Sequence, residues 1–166
     1  MPKIFNQKGT VPLLTLAIIA AVVDEKYGYT LKHPKGWIVE NLSSENTRLT
    51  KVSDPDKSVF VLIEGIVGPS LEKEGELKKV LDLLEDKLKK NDKQKVANFT
   101  RSNEDDMSDY VASGQETYDD KTVEFEERFI VWKNGRGLRM HAAYAPDTKT
   151  VNKSITTEIM DSFKTD

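Results

Sequence analysis

The chain contains no cysteine and only two histidines, His33 and His141, among its 166 residues. The first absence excludes a disulfide scaffold, a thiolate metal site, a cysteine nucleophile and a lipid-modified N-terminal cysteine. The second excludes a multi-histidine metal centre, so any Ser-His-Asp arrangement would have to use one of these two rings. Strong net charge is lacking as well: 25 basic side chains stand against 28 acidic ones, a formal charge of -3. A nucleic-acid partner needs a concentrated basic face to neutralise phosphates, and a basic membrane-surface protein needs the same. Neither fits. No Gly-x-Ser-x-Gly elbow, Ser-x-x-Lys pair or phosphate loop occurs, and Gly135-x-Gly137 lacks the third glycine of a nucleotide fingerprint.

What is present suits one soluble domain with a hydrophobic core: 37% hydrophobic and 32% charged residues. Residues 11–23 form an apolar run without charge, preceded by Lys3 and Lys8 and flanked on the other side by Asp24 and Glu25. Basic before and acidic after is the orientation that keeps the N-terminus in the cytoplasm and exports the rest of the chain. The run is shorter than the roughly 17–25 residues of a membrane helix and suits a signal peptide, though its small-x-small cleavage pattern is weak. Residues 1–26 therefore read as an apolar helix serving as membrane anchor or secretion signal, and 27–166 as the domain. A prepilin-type leader cut after Gly9 and a buried core helix remain open.

Strands are expected at 29–32, 37–41 and 47–52. A further strand at 58–67 is apolar enough to be covered on both faces. A helix over 75–91 carries Leu77, Val80, Leu81, Leu84 and Leu88 at helical spacing. Beyond it come a weak strand at 96–101, a better one at 110–118, and a hairpin through Asp119-Asp120 into 123–133. Asn134-Gly135 reads as a two-residue hairpin turn returning through 137–144. A last helix spans 150–163, with Val151, Ile155, Ile159 and Phe163 four apart. Strands, helix, strands, helix make an α+β layer fold.

Tyr29-x-Leu31-x-x-Pro34-x-Gly36-Trp37, the mid-chain helix, the late hairpins and Ile159-Met160-Asp161-Ser162-Phe163 resemble the PsbP-like domain family over residues 27–163. The resemblance implies an antiparallel β-sheet sandwiched between helices, an α-β-α sandwich, with Trp37 plugging the core. It also implies a non-enzymatic binding or assembly module outside the cytoplasm, with a membrane complex or envelope protein as partner. In oxygenic photosynthetic members that role is extrinsic to photosystem II, supporting calcium and chloride retention; nothing in this N-terminus has the Ser- and Arg-rich character of a plastid transit peptide. Alternatives are a pilin-like surface subunit and a small hydrolase using His141.

No catalytic or cofactor-binding residue is expected. His33 precedes Pro34 and reads as a strand-end residue fixing the corner. Asp105, Asp106 and Asp109, beside Glu104, are the best candidates for a weak calcium-type site, since hard cations take several carboxylates. They lack the Asp-x-Asp-x-Asp-Gly loop and lie near Lys93, Lys95 and Arg101.

Overall fold

The computed structural model describes residues 19–24, 29–45 and 47–165. In chain order these form β1 (Ile19–Asp24), β2 (Tyr29–Pro34), β3 (Ile38–Asn41), β4 (Arg48–Ser53), β5 (Val59–Val67), α1 (Glu76–Lys90), β6 (Gln94–Asn103) and β7 (Met107–Tyr118). β8 (Lys121–Trp132), β9 (Arg136–Tyr144), a 3-10 turn (Pro146–Thr148), α2 (Lys149–Asp161) and β10 (Lys164–Thr165) complete the chain. Seven strands make one antiparallel sheet ordered β3-β4-β5-β9-β8-β7-β6, and β1-β2-β10 form a smaller one.

Alternation along the strands decides what each face carries. Val61 and Ile63 of β5 pair with Ala142 and Met140 of β9, and all four are buried beneath Ile159 and Met160 of α2, together with Tyr29 and Leu31 of β2. The opposite parity, Tyr110 and Ala112 of β7 with Phe125, Phe129 and Val131 of β8, lies beneath Leu77, Leu81 and Leu88 of α1. The helices thus cover opposite faces of the large sheet, as the α-β-α arrangement requires. On the solvent side of α1, Lys78–Asp82, Lys89–Glu85 and Lys90–Asp86 pair at i,i+4. Each such exposed pair adds only tenths of a kcal/mol. α1 is therefore held mainly by its leucine stripe.

Five expectations are corrected. The N-terminal apolar helix is contradicted where the structure describes the run: residues 19–24 are strand β1, pairing antiparallel with β2 from Ile19↔Pro34 to Asp24↔Tyr29. β-branched Ile19, Val22 and Val23 favour a strand, and β2 offers them an edge. The rest of the run lies outside the described residues. Among those described, no helix is long and apolar enough to cross a membrane.

β5 is not covered on both faces either. Val59, Val61 and Ile63 are buried, but Phe60, Leu62, Glu64 and Ile66 are half-buried, because α1 packs on β6 and β7 and leaves this part of its face open. Trp37 is half-buried against the α2-side cluster rather than a fully enclosed plug. Val151, placed in the stripe of the last helix, is exposed.

The Asn134-Gly135 hairpin forms, but with a three-residue loop. Gly135 N–H donates to Trp132 O (2.9 Å), Gly135 has φ 86°, and Asn134 Oδ1 accepts from Arg136 N–H (3.0 Å). A Cβ at Gly135 would stand 2.3 Å from the carbonyl oxygens of both Gly68 and Pro69, so glycine is required twice over.

Candidate functional site: a buried ionic network under an open cleft

β8 contains Glu124-Phe125-Glu126-Glu127-Arg128, an unusually charged centre for a strand, and all three of its carboxylates are buried. Alternation sends Glu127 to the α1 face, where β9 places His141 directly opposite it and Arg139 two residues earlier on the same side. His141 donates from Nδ1 to Glu127 Oε2 and from Nε2 to Glu116 Oε1 of β7, both at 2.8 Å. Arg139 grips Glu127 Oε2 with one edge of its guanidinium, Nε at 3.0 Å and Nη2 at 2.8 Å. Tyr110 donates its hydroxyl to Glu127 Oε1, Gln94 Nε2 donates to Glu116 Oε2 (2.9 Å), and the Phe125 ring stacks on the imidazole.

Two carboxylates and two cations thus balance at the centre, each with hydrogen-bond partners, the condition under which buried charge is tolerated. Burial alone would push the His141 pKa down, but the bonds and charges of Glu116 and Glu127 carry it up to about 9. Burial likewise opposes ionisation of Glu127, yet the His141 and Arg139 contacts hold its carboxyl at about 2. Glu116 is lowered for the same reason, its burial outweighed by His141. Burial and Glu127 raise the Tyr110 phenol. Glu116, Glu127, Arg139 and His141 are thus ionised at neutral pH, and Tyr110 is neutral.

Folding stability should therefore depend on pH on both sides of neutrality. A histidine raised from 6.5 to about 9 adds stability that is complete below 6.5 and disappears as pH rises to 9. A carboxyl lowered from 4.5 to about 2 adds stability present above 4.5 and lost towards 2. The urea midpoint should be highest between about pH 4.5 and 6.5 and fall through the alkaline window, by the equivalent of about 3 kcal/mol for a shift of this size. His141→Phe should flatten that alkaline fall. An equally steep fall in the variant would show that His141 is not its source.

Above the network lies a cleft of about 210 Å³ on the open part of the α1 face. Leu49 of β4 and Leu62 of β5 give its apolar lining; Glu64, Gln94, Glu116, Tyr118, Arg139 and His141 give the polar part, with Glu64 between Leu49 and Arg139 in the register. Tyr118 carries the hydroxyl of the lining, and burial together with the Glu116 charge raises its pKa. It is a poor nucleophile, and the histidine beside it has both nitrogens occupied. On the other face, Glu126 accepts from Tyr144, Thr156 and Thr157, each at 2.9 Å, and so fastens β8 to α2.

The residues singled out from sequence lie elsewhere, apart from His141. Asp105 and Asp106 are exposed between β6 and β7, and Asp109 is half-buried on β7 with its Cα opposite Ser102 and Ile130. Among the described residues, no group of three or more carboxylate or imidazole side chains is arranged to hold a metal ion. His33 is buried and donates from Nδ1 to Pro34 O at 2.9 Å, which fixes the corner. Sequence reading missed Glu116, Glu127, Arg139, Tyr110 and Gln94. The available signal was four charged residues within five positions of an otherwise apolar strand.

No curated protein matches the sequence significantly. Among solved structures, cyanobacterial PsbP (CyanoP) from Synechocystis sp. PCC 6803 superposes with a TM-score of 0.62 at 18% identity, over 98% of each chain. LpqN of Mycobacterium tuberculosis, described as involved in cell envelope biogenesis, gives 0.60 at 14% identity, over 88% of this chain and 89% of its own. At such identities the likeness is one of fold. The PsbP family model matches residues 18–165, from the residue before β1 to the end of β10, and the chain belongs to the PsbP family.

Proposed function

We propose that the chain is a non-enzymatic extracytoplasmic module that binds or assembles with a protein partner at the cell envelope. The observation that carries this reading is the closure of the ionic network on itself. His141, the imidazole facing the cleft, is held by two carboxylates, so it neither accepts a proton from substrate nor activates a nucleophile. What remains is an open, partly apolar cleft over a rigid floor, which suits recognition. LpqN's part in envelope biogenesis supports a similar setting.

Residues 19–23 cannot both pair with β2 and cross a bilayer. Within this sequence we therefore look for the export address in residues 1–18, outside β1. The pilin-like alternative, which needs a long N-terminal helix, is not favoured by the pairing of residues 19–24 as strand β1.

Bacterial alkaline phosphatase, active only after export, fused behind Asp166 tests the location. The full chain should give an active fusion and a chain lacking residues 1–18 an inactive one. Equal inactivity would place the domain in the cytoplasm and end the proposal.

A further inference from the structure

Arg139 is gripped along one edge only. Its Nε and Nη2 are fixed on Glu127, which locks the guanidinium plane, while Nη1 is directed towards Glu64, another residue of the cleft lining. Among the described residues Nη1 has one ion-pair neighbour, Glu64 Oε1 at 3.6 Å, beyond hydrogen-bond reach. Glu64 is itself about a third exposed at the rim. A guanidinium held rigid by buried partners and offering a free N–H pair to a semi-enclosed site is a carboxylate receptor, because no ordering of the side chain is needed on binding.

The neighbouring leucines decide which carboxylate. Leu62 pairs with His141, and Leu49 pairs with Glu64, which in turn pairs with Arg139, so two leucines share the sheet face of the guanidinium, with Glu64 between Leu49 and Arg139. At about 210 Å³ the cleft falls below the roughly 300 Å³ at which sites for drug-sized ligands begin, enough for one residue. An aspartate or glutamate side chain would bring charge to Nη1 and leave the leucines uncovered. A chain-terminal aliphatic residue carries both groups on one carbon, its Cα.

We propose that the cleft between β4, β5 and β9 captures the C-terminal aliphatic residue of a partner polypeptide, its carboxylate on Arg139 Nη1 and its side chain on Leu49 and Leu62. This rests on the reading of the chain as a binding module and names the part of the partner it holds. Glu64 acts as a gatekeeper that a ligand must outcompete for Nη1.

The test is a chemical-shift titration of the isotope-labelled full chain with N-acetyl-leucine, a mimic of such a terminus. Saturable shifts should appear at Leu49, Leu62, Glu64 and Arg139. N-acetyl-leucinamide, without the charge, and N-acetyl-glutamate α-amide, with its carboxylate on the side chain, should bind at least several-fold more weakly. Glu64→Gln should tighten N-acetyl-leucine by about two- to fivefold, the scale of a partly exposed ion pair, whereas a merely structural role for Glu64 predicts no gain. Leu62→Glu, at a half-buried position, should abolish binding. Absence of saturation, equal binding of the amide, equal binding of the glutamate derivative, or no tightening in Glu64→Gln would each overturn the proposal. None of these outcomes bears on export, so the two readings fail separately.

Discussion

Glu127→Ala should be among the most destabilising single substitutions in the chain, lowering stability by about 3–5 kcal/mol, the range for removing one partner from a buried ionic group. The carboxylate accepts from Tyr110, from Arg139 at two nitrogens and from His141. Its removal leaves those donors buried without an acceptor, and two positive charges balanced only by Glu116 and the more distant Glu64. A domain this size shifts its melting temperature by roughly 2–4 °C per kcal/mol, so a fall of about 10 °C or more is expected. His141→Ala alone should also be costly, because it takes a charged donor from both Glu116 and Glu127. The double variant should lose about 1–3 kcal/mol less than the two single losses together, the signature of direct coupling. Additivity within about 0.5 kcal/mol would mean that the two residues fold independently and that the floor of the cleft is no network.

How much of this was legible in the sequence depended on the physical signal each part left. The leucine spacing of α1 and the interrupted aromatic strand at β2 were readable because burial imposes a period. The site was not, and the reason lies in one loop. A two-residue Asn134-Gly135 turn would pair Lys133 with Arg136 and so bring Arg128 opposite His141. The observed three-residue loop pairs Glu127 with His141 instead. A slip of one residue exchanges the faces of the strand, and here it decides whether the imidazole meets a guanidinium or a carboxylate. The Asn-Gly dipeptide announces a hairpin without fixing its length. The packing of Gly135 against the backbone of Gly68 and Pro69 is a tertiary contact with no local signature.

β1 was misread for a related reason. Thirteen apolar residues look alike whether they meet lipid, a signal-recognition groove or the edge of a sheet, and only the free edge of β2 distinguishes them.

The boundary this implies can be tested by truncation. Removing residues 1–18 should leave thermal stability nearly unchanged, since β1 and its pairing with β2 survive. Removing residues 1–24 should cost about 3–6 kcal/mol, for several ladder hydrogen bonds at roughly 0.5–1.5 kcal/mol each. β2 would then keep only β10, paired at two residues, as its neighbour in the small sheet. Because Tyr29 and Leu31 pack with Ile159 and Met160, a loosened β2 should also unsettle α2. Amide exchange should accordingly quicken at Leu31 and along α2 in the shorter chain, while the α1 leucines stay protected in both. Identical melting of the two truncations would show that β1 adds nothing to the domain. Residues 19–23 would then be free to serve as membrane segment, and the case for confining the export address to residues 1–18 would fall with it.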